Sequence, residues 1–397
     1  MPPSVRANVK AEILAWARDT AGYQPDEAAR KLGVKPERLL MWESGEGKPT
    51  IIQLRKLAKV YKRPMAVFFL QEKPQGFQVM RDLRRLPGDG IRHFSPQLTL
   101  EMRAAQERRE LMLDLYDELD EAPPSFTFAT TLDESPESFG LRVRNYLGVT
   151  AALQSHWRDP RVAFRAWRER MEEVGVLVLQ MAKVETDAVS GFAISHDKLP
   201  LVAVNKKDRF PRRVFSLLHE FSHLALRASG VSDLDVDAAR PPEDQRIEVF
   251  CNASAAAALM PRDLFLGEQI VAAYPAARRD WDEADIVELA LRYSVSREAV
   301  VRRLLTFGRT SERFYRQKRA QYAEEHRRRQ ERERERLQDQ EFRRNPARDA
   351  VAINGEPFAR LVLNNYYQDR ITLSDVSSFL GIRVRHLPKV EQVLGLG

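Results

Sequence analysis

The sequence predicts a mostly helical α+β protein: an N-terminal all-α bundle, a core with a short β-meander, and a helical C-terminal region. Three observations carry that expectation. Apolar residues recur at helical spacing along most of the 397-residue chain. Runs that read as buried strands are confined to residues 176–181, 188–194 and 200–204. Directly after them, residues 213–227 read as a helix that is apolar nearly all round yet carries His219, Glu220 and His223.

The N-terminal elements follow from punctuation. Residues 9–18 form a first helix with Ile13, Leu14 and Ala17 inward. Pro25 opens a second that ends at Gly33, because proline suits the first helical turn and glycine the left-handed residue that closes one. A short helix over 35–43 turns Leu39 and Trp42 inward. Thr50 caps the helix over 51–61, and Pro64 opens a last one over 65–70. The turn chemistry of Pro74, Gly76, Pro87, Gly88 and Gly90 marks residues 73–95 as a linker, and 121–125 form a second, on either side of a helix over 99–119. Helices over 138–147 and 161–174, the second initiated by Asp159 and Pro160, lead into the strands. Beyond residue 261, helices over 285–291 and 297–305 flank a turn, with Ser296 as a cap. In that element Arg302 and Arg303 could face DNA, but packing on the core is their expected role. A charged helix over 311–345 ends at Asn345-Pro346, and its second half has almost no apolar seam, so the expectation is a solvated helix held by i,i+4 pairs, with a nucleic-acid contact as the alternative. Residues 351–397 form a last small unit, with a helix from Thr372 that stops at Gly381.

Composition narrows the function classes. The formal charge is +7, which suits a nucleic-acid partner, although 30% charged residues also describe a well-solvated surface. No apolar run approaches the ~18 residues of a membrane span, and the N-terminus has no signal-peptide core. Cys251 is the single cysteine, which excludes a disulfide framework and a cysteine-based metal site. The expected location is the cytoplasm, with no membrane partner.

The chemistry sits in H-E-x-x-H. His219 and His223, four residues apart, share one helix face and can hold one Zn2+ ion. Glu220 then reaches a water on that zinc as general base. The bland alternative is a buried helix with two satisfied core histidines. A third ligand must come from downstream, where Asp233, Asp235, Asp237, Glu243, Asp244 and Glu248 are available. Glu248 opens a helix of small and apolar residues, and a lone carboxylate on a buried face must be paired or bind metal. Asn252, one turn on, can orient it by a hydrogen bond behind the metal.

Two resemblances join these readings. Ala28, Ala29, Leu32, Gly33 and Val34, with Trp42, Glu43, Gly45, Pro49, Thr50, Leu54, Leu57 and Ala58, resemble Cro/repressor-type helix-turn-helix domains. That resemblance implies that 35–43 is the recognition helix, with Lys35 and Arg38 as DNA contacts, although Glu37 would repel phosphate. H-E-x-x-H followed by Glu248, Cys251, Asn252, Ala255, Ala256, Leu259, Met260 and Pro261 resembles the ImmA/IrrE family of bacterial metallopeptidases. It implies a zincin-like peptidase core, gluzincin-like zinc binding by His219, His223 and Glu248, and Glu220 as base. The expected domains are 1–72 (helix-turn-helix), 73–125 (linker and long helix), 126–310 (peptidase core with a following helix-turn-helix-like element) and 311–397. The expected function is a site-specific zinc endopeptidase fused to a DNA-binding domain. It would cut a partner such as a transcriptional repressor in a stress or mobile-element response. The alternative is a DNA-binding regulator, of a toxin-antitoxin or phage-defence module for instance, whose zinc domain is sensory or structural.

Overall fold

Proline and glycine punctuate the first helices where the sequence places them. The structure, a computed structural model, describes residues 5–74, 81–82, 94–186, 188–232, 241–274, 279–338 and 345–396. The chain divides into two units, Met1–Met80 with Asp89–Glu107, and Arg81–Gly88 with Arg108–Gly397.

In the first unit, α1 (Ala11–Asp19), α2 (Pro25–Leu32), α3 (Pro36–Ser44) and α4 (Ile51–Tyr61) close around Ile13, Leu14, Ala29, Leu39, Trp42, Leu54 and Leu57. Gly33 ends α2 at φ 67°, a left-handed conformation that glycine adopts without strain. Thr50 and Gln53 form a reciprocal capping box on α4. The helix expected over 65–70 is a 3-10 turn, Met65–Phe69, anchored by buried Phe68. The long helix α5 (Pro96–Glu118) gives its residues up to Glu107 to this unit and the remainder to the second. Its buried Arg103 donates to the carbonyls of Tyr61 and Lys62, which α4 leaves unpaired at its C-terminus.

The second unit contains a five-stranded sheet formed by β1 (Arg81–Asp82), β2 (Leu177–Met181), β3 (Gly191–Ile194), β4 (Leu201–Asn205) and β5 (Gly230–Ser232). Most of the linker expected over 73–95 lies outside the described residues, and β1 is a strand within it. Before β2 come α6 (Pro136–Tyr146), α7 (Ala151–Ser155) and α8 (Pro160–Glu173), the first and third capped by Ser135 and Asp159. Between β4 and β5 lies α9 (Phe210–Ala225), and α10 (Pro242–Leu259) follows β5.

The mostly helical α+β architecture is as expected, but the strand order corrects the meander. The order is β1-β5-β3-β4-β2. β3 and β4 form an antiparallel hairpin, whereas β2 runs parallel to β4 from Leu177↔Leu201 to Met181↔Asn205. Residues 182–190 are longer than the roughly 2–5 residues a hairpin turn requires, so the chain passes one strand position and β4 returns into the gap. Asn205 fixes that detour, its amide donating to the carbonyls of Val184, Glu185 and Val189. β2, β3 and β4 are buried at every position, which is why they read as continuous apolar runs rather than alternating ones.

Helices complete the unit: α11 (Arg262–Gly267), α12 (Gln269–Ala272), α13 (Glu283–Tyr293), α14 (Arg297–Thr306) and α15 (Glu312–Gln338). Phe314, Tyr315 and Tyr322 bury the first half of α15, and beyond them ion pairs such as Arg327–Glu331 and Arg328–Glu324 lie on its surface. Asn345-Pro346 does more than follow this helix. The Asn345 side chain caps α16 (Pro346–Asn354), accepting from the Arg348 amide. α17 (Glu356–Tyr367), α18 (Leu373–Leu380) and α19 (Leu387–Val393) end the chain. Arg168 donates to Val178 and Ala352 carbonyls, pinning α16 beside β2.

Candidate metal centre

Pro211 opens α9, and every residue from Ser216 to Ala225 is buried. A buried helix tolerates Ser216 and Ser222 because each hydroxyl donates to the carbonyl four residues earlier. His219 and His223 stack one turn apart, their Nε2 atoms 3.1 Å from each other. α10 packs against α9 and brings Glu248 to the same point. Its Oε1 lies 3.2 Å from His223 Nε2 and its Oε2 3.5 Å from His219 Nε2. Among the described residues these three form the one group able to hold a metal ion, and all are buried. A tetrahedral zinc with bonds of ~2.0–2.2 Å has ligand–ligand edges of about 3.4 Å, close to the 3.1 Å between the imidazole nitrogens and to the approach of each to its nearer Glu248 oxygen.

The sequence of α10 explains how Glu248 arrives there. Its C-terminal half is rich in alanine, and it packs on both α6 and α9. A Cβ at Gly140 of α6 would fall 2.6 Å from Ala257 Cβ and 2.7 Å from the Ala258 nitrogen, so only glycine admits the approach. Three buried polar groups then receive the last carbonyls of α10. Arg144 bonds to Ala258, Gln154 to Leu259 and Arg303 to Met260. Arg303 also forms a bidentate pair with Glu137, at 2.6 and 2.8 Å. It is therefore buried against the core, as expected, rather than presented to DNA.

Asn252 serves a different partner from the one its sequence position suggests. It lies one turn beyond Glu248, but its amide oxygen is 3.1 Å from His219 Nδ1. An acceptor there holds the proton on Nδ1 and leaves Nε2 as the donor toward the centre. The charge states suit a metal. Burial works against ionisation of Glu248, yet His219 and His223 hold its carboxyl far below the usual range. Burial lowers His223 against the pull of Glu248, favouring the neutral imidazole that binds metal. Burial pushes the Cys251 thiol well up, with Glu248 and Glu220 adding to it, so it stays protonated beside the site.

Glu220 is fully buried on the turn between the histidines, under the first residue of β3. Of the other third-ligand candidates, Asp233, Asp235 and Asp237 lie outside the described residues. Glu243 is exposed and Asp244 buried in the first turn of α10, and neither belongs to the cluster. His196 is half-buried between β3 and β4, where burial and Arg109 lower its pKa. In the first unit, Lys35 and Arg38 are exposed at the start of α3, as are Glu37, Leu40 and Met41. Sequence reasoning passed over Gly140 and Arg144, and it read Gly191 only as part of a strand, with no role beside Glu220. Two glycines and one arginine carry no periodic signal, and only their neighbours show what they do.

Comparison with known families agrees with this geometry. Residues 171–305 match the IrrE N-terminal-like domain. The match is to a peptidase family and runs from the end of α8 through α14. The IrrE-like domain thus contains His219, Glu220, His223, Glu248 and Asn252, and it includes the helix pair that carries Arg303. Residues 14–68 match a helix-turn-helix, from α1 to the 3-10 turn, so a DNA-binding domain precedes the IrrE-like domain. No match was found among curated proteins. No helix among the described residues is long and apolar enough to cross a membrane.

Proposed function

We propose that the chain is a zinc-dependent, site-specific endopeptidase carried on a DNA-binding domain, with a DNA-bound repressor as the class of substrate. The observation that supports this reading most is the convergence of His219, His223 and Glu248 at one buried point, with Glu220 on the turn between the histidines. A purely structural zinc has no use for that fourth group. Zinc, when bound, acts as a Lewis acid toward the scissile carbonyl and makes water a stronger acid. Glu220 accepts the proton of the attacking water and returns it to the leaving amine. Asn252 keeps His219 in the tautomer that presents Nε2. Burial keeps solvent from competing for these groups and strengthens each electrostatic contact.

The helix-turn-helix supplies what a general peptidase lacks. Binding near an operator raises the effective concentration of a repressor bound there toward ~mM, subject to linker reach. The test compares wild type with Glu220→Gln, both as full-length protein with zinc, in a bacterial lysate scored for newly formed N-termini. Wild type should generate a small set of new termini, including one from a helix-turn-helix repressor, and Glu220→Gln should reduce them at least ~100-fold. Elemental analysis should find about one zinc per chain in both proteins and a loss in His219→Ala, His223→Ala and Glu248→Ala. Identical termini from wild type and Glu220→Gln, or full zinc in the ligand variants, would refute the assignment.

A further inference from the structure

We propose that Gly191 is a positioning residue for Glu220. The first residue of β3 holds the space in which the Glu220 carboxylate sits, and any side chain there drives the carboxylate out of place. A Cβ built at Gly191 would lie 2.7 Å from Glu220 Oε1 and 3.0 Å from Glu220 Cγ. It would also meet the Ala203 carbonyl oxygen at 3.0 Å. Contacts this short must be relieved by movement, and the surroundings decide what moves.

The strand cannot. Gly191 pairs with Val204 of β4 on one side and Ser232 of β5 on the other. Just before it, the Ser190 carbonyl accepts from the Asn205 amide, and the Val189 carbonyl accepts from the Asn205 side chain. The start of β3 is therefore held along both edges and at its approach. The Ala203 carbonyl belongs to β4, an interior strand paired on both sides. Of the three nearest atoms, the two of Glu220 belong to a flexible side chain and the third to backbone, so the carboxylate end yields first. It is fully buried, so any displacement pushes it into close-packed neighbours. The glycine is thus explained by the carboxylate beneath it rather than by backbone strain. This inference rests on the peptidase reading for the role of Glu220, whereas the packing it describes does not.

The experiment is a double-mutant cycle on the full-length chain, read by thermal melting in the absence of metal. Gly191→Ala should lower the Tm by roughly 3 °C or more in the Glu220 background. In the Glu220→Ala background the same change should cost under about 1 °C, because the space beneath it is open. Zinc content should remain about one per chain in Gly191→Ala, since no ligand is disturbed. A peptide spanning the site that wild type cuts gives the second readout. Gly191→Ala should lower kcat about 100-fold with KM within about twofold, as loss of the base would. With the shorter Glu220→Asp in place, adding Gly191→Ala should lower kcat no further. Equal Tm losses in both backgrounds, or loss of folding in both, would assign the cost to the Ala203 carbonyl and overturn the proposal. Full activity in Gly191→Ala would overturn it as well. If wild type cuts no peptide, the peptidase reading fails while the melting cycle still decides the packing.

Discussion

Replacing Asn252 with alanine should weaken zinc binding about 10- to 100-fold while leaving the fold intact. The reasoning starts from the 3.1 Å contact between the Asn252 amide oxygen and His219 Nδ1. When His219 donates its Nε2 lone pair to a metal, its one proton must sit on Nδ1. Both residues are buried, so the variant removes the protein acceptor that the Nδ1 proton has there. A buried donor left unpaired costs about 1–3 kcal/mol, and each 1.4 kcal/mol is a factor of ten in affinity. That range agrees with the ~10–100-fold typically lost when a hydrogen-bond partner of a metal ligand is removed. The metal-free protein should lose less. Without metal the imidazole is free to carry its proton on Nε2, facing Glu248 Oε2 at 3.5 Å. Competition titration against a chromophoric zinc chelator measures the affinity, and melting of the metal-free protein measures the fold. Asn252→Asp retains an acceptor and should hold zinc at least as well as wild type. An Asn252→Ala affinity within about twofold of wild type, or a large loss of metal-free stability with unchanged affinity, would refute the argument.

Arg303→Leu should destabilise the second unit by about 2–3 kcal/mol in a melting experiment, because it strands the Met260 carbonyl and Glu137; the figure is discounted because about a third of Glu137 remains in water. It should leave DNA affinity unchanged, and the opposite pattern would place Arg303 at a DNA surface. Asp208 is raised by burial from 3.8 to about 6, with Arg212 and Arg213 opposing. Its contribution to stability is therefore fully present below pH 4 and lost as pH rises through about 6, so the stability of wild type relative to Asp208→Asn should fall across that window, as denaturant titrations at several pH values would show. Binding of the full chain to duplex DNA should weaken steeply with salt, and Arg38→Ala should lower the slope of log K against log salt by about 1. Fluorescence anisotropy with DNA from upstream of its own gene reads this, and salt-independent binding would point to protein contact through α3 instead.

Local chemistry was readable in advance wherever a few neighbouring residues suffice. Thr50, Ser296 and Thr372 cap the helices they precede, and Gly33 and Gly381 end theirs in the left-handed conformation. Asn345-Pro346 was legible as a boundary but not as the start of α16, since the same pair serves either purpose. The two- and three-residue strands β1 and β5 are too short to display a period, and the continuous burial of β2 and β4 hides which strand lies beside which. The family matches cover residues 14–68 and 171–305, the regions where the motif residues were densest.

By itself, the sequence determined that His219 and His223 share a helix face, because a spacing of four in an α-helix permits nothing else. It also singled out Glu248 as a buried carboxylate in need of partners. Only the tertiary structure decided that α10 lies close enough to α9 to deliver that carboxylate, and that Gly140 of α6 admits Ala257 of α10 at close range, although more than a hundred residues separate those two positions in the chain. It decided that Asn252 serves His219, and that Gly191 leaves room for Glu220. The reason is physical. Helical phase is set by bond geometry over a few residues, whereas the distance between two helices, and which side chains meet there, depends on the close packing of every residue between them.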